Sequence, residues 1–233
     1  MKHSLKTHFE NDSQFVLPNF DQVAPVSRAF TYGKIGKRLT DLILCAFAIP
    51  LILPVVMILA FLARRDGGPA FFGHTRIGQN GKPFKCWKIR SMVPDAKQRL
   101  ETLLAEDPAA REQWARERKL DSDPRITGFG DFLRKSSLDE LPQLWNVFRG
   151  EMSLVGPRPV PSDELDQNYG QYRRVYLRMR PGVTGLWQVS GRNDVSYSER
   201  VQMDATYFKS ISLKQDLNII MRTASAVLNR TGK

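Results

Sequence analysis

The sequence predicts an α+β, mostly helical protein of the monotopic membrane class, with a re-entrant helical hairpin, a small β-hairpin and interfacial amphipathic helices. Three observations carry this prediction: an uncharged apolar run with two prolines in its middle, an Asn80-Gly81 turn signal, and helical spacing of apolar residues near the C-terminus. The chain divides into a mobile tail (residues 1–30), a membrane helix with basic flanks (31–66) and a cytoplasmic domain with interfacial helices (67–233).

The apolar run extends from Leu42 to Ala63 and is long enough to reach across a bilayer, which needs about 20 apolar residues in a helix. Basic residues, which tend to stay cytoplasmic, lie on both sides of it: Lys37 and Arg38 before it, Arg64 and Arg65 after it. We expect Lys37 and Arg38 to lie at the membrane surface. Pro50 and Pro54 each remove a backbone donor and favour a bend. A re-entrant hairpin and a proline-kinked spanning helix both fit these residues.

The charge balance indicates anionic partners. Among 233 residues, 35 Lys and Arg against 24 Asp and Glu give a formal net charge of +11. Phospholipid head groups, phosphorylated substrates and nucleic acid would all suit this charge. The membrane run favours lipid and phosphate, so we predict no nucleic-acid partner. Cys45, in the apolar run, and Cys86 are badly placed for a bridge and are expected to be reduced thiols.

The cytoplasmic part begins with a predicted β-hairpin around Asn80-Gly81. Lys85, Lys88 and Arg90 on its second arm are expected to project basic groups from one face of the strand. Residues 94–120 then predict a charged, solvated helix that is split at Asp107-Pro108. The C-terminal segment has the spacing of an amphipathic helix that either packs onto the domain or inserts into the membrane interface; its apolar members are Leu213, Leu217, Ile220, Met221, Ala224 and Val227.

The carboxylate pair Asp139-Glu140 is the strongest candidate for chemistry. Ser137 and Glu140 have the spacing of a capping box, while Pro142 favours a later N-cap, and both alternatives put the pair near a helix N-terminus. An ionised aspartate there is a competent nucleophile toward phosphorus. Neighbouring side chains on a helix point apart, so the two carboxylates should have different roles.

Nearby groups suit phosphate chemistry. Arg134 and Arg158 are candidates for bidentate contacts with phosphate oxygens, although each alone could be an ordinary surface charge. None of the three histidines has a metal-ligand spacing, which argues against zinc. Carboxylates together with phosphates predict Mg²⁺, held by Asp139 and Glu140.

Several motifs in order resemble the bacterial sugar transferases, the monotopic polyprenyl-phosphate phosphoglycosyl transferases. The resemblance covers roughly residues 34–222. Its motifs are Lys37-Arg38 with Asp41, Leu53-Pro54, residues 84–92 (FKCWKIRSM), 133–143 (LRKSSLDELPQ), 153–159 (SLVGPRP) and 181–192 (PGVTGLWQVSGR). It is greatest to the members that transfer galactose phosphate in rhizobial exopolysaccharide synthesis. Where the family often has Ser-Pro at the bend, this chain has Leu53-Pro54.

The resemblance implies transfer of a hexose 1-phosphate, galactose or glucose, from a UDP-sugar to undecaprenyl phosphate, with release of UMP. It implies that Asp139 attacks the β-phosphate, that Glu140 holds Mg²⁺ or manages protons, and that Arg134 and Arg158 hold phosphate oxygens. More loosely, Lys85, Lys88 and Arg90 would contact the nucleotide or the lipid phosphate. The enzyme would lie on the cytoplasmic leaflet of the bacterial inner membrane, and a homo-oligomer is compatible with the sequence.

Two other functions fit fewer features. A basic membrane-surface protein could scaffold polysaccharide assembly without catalysis. An anchored RNA-binding protein would need stacking platforms that the sequence does not offer.

Overall fold

The computed structural model describes residues 32–117, 120–190 and 195–228, and the predicted N-terminal tail lies outside them. The described chain is mostly helical, as expected, with two small sheets. Its helices are α1 (Lys37–Ala63), α2 (Ala96–Glu106), α3 (Pro108–Glu117), α4 (Gly128–Ser136), α5 (Gln143–Arg149), α6 (Ser162–Asn168), α7 (Arg173–Leu177), α8 (Leu186–Ser190), α9 (Tyr197–Ser210) and α10 (Leu213–Leu228). Its strands are β1 (Phe71–Ile77), β2 (Pro83–Ile89), β3 (Ser153–Val155) and β4 (Gly182–Thr184).

Helix α1 contains the whole apolar run and continues through Pro50 and Pro54. Proline fixes φ at a helical value, so the helix persists, although each proline removes one backbone hydrogen bond. The two arms of the predicted hairpin are therefore not separated by a non-helical turn, and the re-entrant path stays a prediction. Within the described ranges, α1 is the one helix long and apolar enough to cross a membrane.

The predicted β-hairpin is confirmed. Strands β1 and β2 pair antiparallel, with Ile77 opposite Pro83 and Phe71 opposite Ile89. The chain reverses through Asn80 and Gly81, whose φ values are 59° and 77°. Such left-handed conformations are the ones that asparagine and glycine adopt most readily in a tight hairpin turn.

The charged segment that follows forms α2 and α3, which are separated at Asp107 as predicted. The Asp107 carboxylate accepts hydrogen bonds from the amides of Ala109 and Ala110, so it caps the second helix. The C-terminal helix is also confirmed. Ile219 is fully buried in the domain, whereas Leu213, Leu217 and Met221 form an exposed apolar stripe.

A parallel pair, β3 and β4, was not expected from the sequence. Gly156, directly after β3, donates its amide to the Thr184 carbonyl at 2.9 Å. A Cβ at Gly156 would lie 2.4 Å from the Arg180 carbonyl oxygen, so the two segments approach closely only because this residue has no side chain. The pair fixes the Gly156-Pro157-Arg158 loop beside α8.

Helix α1 contributes to two hydrophobic clusters of the domain. Cys45 lies in a cluster with Phe84 and Val147, and Leu59 and Ala63 lie in another with Ile89 and Leu133. Residues 46–58 between them include no buried side chain. Both ends of α1 thus pack against the domain, while its middle faces outward.

Candidate active site

The carboxylate pair lies in a short 3₁₀ turn, Leu138–Glu140, between α4 and α5. Ser137 ends α4 in a left-handed conformation with φ 58° and makes no side-chain cap bond, so the capping box does not form. Helix α5 begins only at Gln143, with Pro142 at its N-cap. Leu138 packs on the cluster around Leu133, and Asp139 is only 6% exposed.

A fully buried asparagine holds α5 against β2. The Asn146 amide donates to the Lys85 carbonyl at 2.7 Å and to Glu151, and its oxygen accepts from the Trp87 amide at 3.0 Å. These bonds anchor the helix that follows the 3₁₀ turn to the strand that carries Lys88. The turn and the lysine are thereby brought together.

Lys88 contacts both carboxylates unequally. Its Nζ donates to Glu140 Oε1 at 2.5 Å and lies 3.6 Å from Asp139 Oδ2. The two carboxylates therefore differ in their contact with Lys88, and their different roles stay a prediction. Glu140 forms the close ion pair, and Asp139 keeps the looser contact.

Burial governs the electrostatics of the site. It raises the pKa of Asp139, and the charge of Glu140 raises it further, while Lys88 and Arg134 act in the opposite direction. Burial also acts to lower the pKa of Lys88, but the carboxylates of Glu140 and Asp139 outweigh it and the pKa is raised. Lys88 is therefore firmly cationic, and the cations that face Asp139 only partly offset the effect of burial on the pKa of its carboxyl.

Arg134, in the last turn of α4, is the second of these cations. Its Nε donates to Ser91 Oγ at 2.9 Å, and the side chain is exposed. Ser91 was not singled out from the sequence, although it lies in the Lys88-Ile89-Arg90-Ser91-Met92 motif. Its hydroxyl fixes the direction of the guanidinium.

Two other predicted basic residues have different partners. Strand alternation puts Lys85 on the face opposite Lys88, where its Nζ donates to Thr75 Oγ1 at 2.9 Å. Arg90 is 9% exposed and bonds to Asp66 and to the carbonyls of Pro69, Met92 and Ala63. The three basic groups therefore do not share one face, because Lys85 is an odd number of residues from the other two.

Arg158 is exposed on the loop after β3, with its guanidinium carbon 5.9 Å from the centre of the Trp187 ring. It does not join the ion-pair cluster of Lys88, Asp139 and Glu140.

Lys37 and Arg38 bind protein groups. Lys37 Nζ pairs with Asp216 Oδ2 at 2.7 Å, and its side chain is 12% exposed. Arg38 donates to the carbonyls of Val147 and Phe148 at 2.6 and 2.9 Å. These contacts fasten the start of α1 to the domain, and the position of the two residues at a membrane surface stays a prediction.

The carboxylates of this site could hold Mg²⁺ only together with oxygen atoms of a bound substrate. No group of three His, Cys, Asp or Glu side chains that could hold a metal occurs within the described residues. Mg²⁺ is commonly held by one or two carboxylates together with phosphate oxygens and water. Asp139 and Glu140 supply two such carboxylates, and Lys88 competes for one of them.

The chain is similar to known proteins over most of its length. The family model described as bacterial sugar transferase matches residues 32–230. The chain is 54% identical over 196 residues to the UDP-galactose-lipid carrier transferase of Erwinia amylovora, which covers 84% of this chain and 41% of that protein. It is 50% identical over 196 residues to the undecaprenyl-phosphate galactose phosphotransferase of Salmonella typhimurium, again over 84% of this chain and 41% of the relative.

A shorter relative matches over most of its length. The exopolysaccharide production protein ExoY of Sinorhizobium fredii is 50% identical over 196 residues, covering 84% of this chain and 86% of the relative. The chain thus spans about two-fifths of the length of the first two relatives.

Proposed function

Because the chain belongs to the bacterial sugar transferase family, we propose that it moves a hexose 1-phosphate from a UDP-sugar to undecaprenyl phosphate and releases UMP. The observation that carries this proposal is a buried aspartate, Asp139, that faces two cations and is not the carboxylate in the close ion pair. Such a group is a nucleophile held ready beside positive charge, as phosphoryl transfer requires.

The proposed reaction has two displacements at the same phosphorus. An Asp139 oxygen attacks the β-phosphorus of the UDP-sugar, and the bond to the bridging oxygen breaks, so that UMP leaves with that electron pair. Asp139 then carries the sugar phosphate as an acyl phosphate. An oxygen of undecaprenyl phosphate attacks this phosphorus next and releases the Asp139 carboxylate.

The neighbouring residues would supply electrostatic stabilisation. Arg134 has guanidinium nitrogens beyond the one bonded to Ser91 that can contact phosphate oxygens. Lys88 sits between the two carboxylates and would hold Glu140 away from the incoming phosphate. Mg²⁺ bound by Asp139 and Glu140 would neutralise charge on the diphosphate.

The substrates follow from the relatives. The names of two of them specify galactose and one specifies undecaprenyl phosphate, and a third is an exopolysaccharide production protein. We therefore propose galactose 1-phosphate as the group transferred, in the first membrane step of exopolysaccharide synthesis.

We further propose that α1 enters and leaves the cytoplasmic leaflet of the inner membrane on one side. The start of α1 binds the carbonyls of α5 through Arg38, and its end binds Arg90 through the Ala63 carbonyl. A straight helix between these points would be about 38 Å long, more than the roughly 30 Å of a hydrocarbon core. One domain could not touch both ends across a bilayer. The exposed stripe of α10 would lie in the interface.

The decisive experiment replaces Asp139 with asparagine. With UDP-galactose, undecaprenyl phosphate and Mg²⁺, the unmodified chain should release UMP, and Asp139→Asn should lower the rate by about 10³-fold or more. Asp131→Asn is the matched control, since this exposed aspartate of α4 pairs with Lys135 and not with a residue of the candidate site. The unmodified chain should also trap a labelled sugar phosphate when the lipid is left out. Full activity of Asp139→Asn would rule out the nucleophile, and membrane binding without any turnover would favour the scaffold hypothesis.

A further inference from the structure

Two aromatic side chains of the β-hairpin share a face with the lysine of the candidate site. Phe72 of β1 lies opposite Lys88 of β2. His74, two residues further along β1, lies opposite Cys86. Directly opposite residues of an antiparallel pair project from the same face, with their Cβ atoms about 4.5–5.5 Å apart. Phe72 and His74 therefore lie on the face from which Lys88 reaches the carboxylate pair.

The core covers this face on β2 but leaves it exposed on β1. Phe84 and Cys86 of β2 are buried in a cluster with Val147 of α5. Phe72 is 52% exposed, and His74 is exposed as well. Their ring centres are 6.1 Å apart, with the ring planes inclined by 38°. Phe72 and His74 thus form an exposed aromatic shelf beside the lysine of the site.

The opposite face of β1 makes different contacts. A Cβ at Gly73 would lie 3.0 Å from the Trp87 ring, so this indole packs directly over the glycine. Thr75 accepts the hydrogen bond from Lys85. Phe71 also lies on that face and is 41% exposed. The strand therefore offers residues of similar type and exposure on the side away from the site.

His74 is suited to a hydroxyl group more than to a phosphate. Desolvation by neighbouring atoms lowers the pKa of His74, and three cations lower it further against the opposing charge of Asp163; they are Arg76, Lys85 and Lys88. The imidazole is therefore neutral at pH 7, with one hydrogen-bond donor and one acceptor. A sugar hydroxyl, which both donates and accepts, matches such a pair.

We propose that Phe72 and His74 bind the hexose of the UDP-sugar and are specificity-determining residues of the reaction. The inference rests on the proposed function, in which the sugar phosphate becomes attached to Asp139. The hexose is joined to that phosphorus through a single oxygen, so it must lie close to the Asp139 carboxylate. Lys88 Nζ is 3.6 Å from Asp139 Oδ2, and the stem of this lysine begins beside Phe72. A hexose held at Asp139 can therefore reach the aromatic shelf.

The shelf also suits one hexose better than the other. Galactose and glucose differ only in the configuration at carbon 4. The axial 4-hydroxyl of galactose leaves neighbouring C–H groups together on one face of the sugar ring. The face of an aromatic ring carries negative charge and attracts such C–H groups. We therefore expect Phe72 to favour galactose, while His74 exchanges hydrogen bonds with a hydroxyl at the rim of the sugar.

The test compares UDP-galactose with UDP, which lacks the hexose. Affinities are measured by calorimetry on the full chain in lipid nanodiscs with Mg²⁺, in the Asp139→Asn background so that no acyl phosphate forms. The ratio of the two affinities reports the contribution of the hexose. Phe72→Ala and His74→Ala should each lower this ratio about fivefold, because a ring contact or a hydrogen bond is lost, and should leave the affinity for UDP unchanged.

Matched variants separate the hexose contact from a general effect on the hairpin. Phe71→Ala and Thr75→Ala alter the same strand on its opposite face and should leave the ratio unchanged. Phe72→Tyr keeps an aromatic ring and should keep most of the ratio. His74→Gln keeps a donor and an acceptor and should recover part of it. In chains with Asp139 intact, Phe72→Ala should also reduce the preference for UDP-galactose over UDP-glucose in UMP release.

Each outcome has its own meaning. An unchanged ratio in both alanine variants, at the melting temperature of the parent, would overturn the hexose contact. Equal losses of affinity for UDP and UDP-galactose would assign the shelf to the nucleotide and overturn it too. Weaker membrane retention of Phe71→Ala and Phe72→Ala alike, with the ratio intact, would assign the shelf to lipid. A parent chain that releases no UMP and binds UDP-galactose no better than UDP would refute the proposed function, whereas UMP release with an intact ratio in the variants would refute only the hexose contact.

Discussion

The behaviour of Asp139 depends on which of two adjacent carboxylates Lys88 prefers. Lys88 Nζ lies 2.5 Å from Glu140 Oε1 and 3.6 Å from Asp139 Oδ2, so it is 1.1 Å nearer to Glu140. A nucleophile in a tight ion pair would have to break that pair before it attacked phosphorus. Glu140 takes the close contact, and Asp139 keeps the longer one.

A second buried aspartate, Asp204, has no cation beside it among the residues that the structure describes, and we expect a pH dependence of stability from it. Asp204 is 3% exposed, and burial raises its pKa from 3.8 to about 7, although a hydrogen bond from the Tyr169 hydroxyl partly opposes the rise. The folded state thus holds the proton more tightly than the unfolded state does. The contribution of Asp204 to the free energy of unfolding is therefore greatest below about pH 4, falls as the pH rises to 7, and levels off above that.

Asp204→Asn should remove this decline, because an amide keeps the acceptor for Tyr169 and cannot ionise. Above pH 7 the variant should be more stable than the parent by at most about 4 kcal/mol. Thermal midpoints between pH 5 and 8.5 measure the difference, with the exposed Asp166→Asn as control. Parallel midpoint curves for the parent and Asp204→Asn would contradict the assignment.

Individual site residues were predictable where a motif fixed them locally. Asp139, Glu140 and Arg134 lie together because they are close in sequence, and Lys88 reaches them through the hairpin. The strand face of Lys85 was predicted wrongly. Lys85 lies an odd number of residues from Lys88 and Arg90, so strand alternation puts its side chain on the opposite face. Arg158 and Trp187 lie close together but belong to separate elements, so no local pattern could join them.

At the scale of the element, α4 can pack closely against the chain at Ser91 because Gly130 has no side chain. A Cβ at Gly130 would lie 1.8 Å from the Ser91 carbonyl oxygen, whereas a Cβ at Gly128 in the same turn would meet nothing within 4 Å. Ser91 is also the residue whose hydroxyl orients Arg134. The contact between α4 and the end of β2 therefore sets both packing and the direction of an active-site cation.

Gly130→Ala should lower the free energy of unfolding by about 2 kcal/mol or more, because the methyl group displaces the Ser91 backbone. Gly128→Ala, the matched control, should change it by less than about 1 kcal/mol, in the stabilising direction. Urea titration in detergent micelles measures stability, and UMP release measures the effect on Arg134. Equal effects of the two substitutions would show that α4 can shift away from β2 freely.

Elements that are determined by neighbouring residues in the sequence were predicted. Elements that depend on contacts between residues far apart in the sequence were not. The hairpin follows from Asn80-Gly81, and the break between α2 and α3 follows from Asp107-Pro108. The capping box at Ser137 failed because that residue ends α4, which its own neighbours do not reveal. The β3–β4 pair joins segments separated by 26 residues and depends on the close approach at Gly156.

At the scale of the whole molecule, a buried carboxylate joins α1 to the C-terminal part of the chain. Asp216 is 2% exposed and accepts hydrogen bonds from Lys37 at 2.7 Å, Tyr207 at 2.5 Å and Tyr32 at 2.8 Å. Together with the bonds of Arg38 and Arg90, this contact makes α1 part of the same rigid unit as the domain.

The membrane path of α1 can be tested by labelling residues at its two ends. In a chain with Cys45 and Cys86 changed to alanine, Ile35→Cys and Arg64→Cys place one thiol at an exposed position beyond each end of the apolar run. A membrane-impermeant maleimide should label both in inverted vesicles and neither in intact spheroplasts, because both ends are fastened to one domain, which we propose to face the cytoplasm.

Retained UMP release would show that the alanine background is folded. Labelling of the two thiols from opposite faces would establish a spanning helix and overturn the re-entrant path.

The contribution of α1 to two hydrophobic clusters also has a consequence for the order in which the protein is made. Cys45, Leu59 and Ala63 are needed to complete clusters whose other members, such as Val147 and Leu133, come from later in the chain. A nascent chain exposes α1 first, so the helix is already in place when those members emerge. If α1 is bound to the bilayer as proposed, it would act as the template on which the domain closes, and the chain would become active only where α1 was inserted.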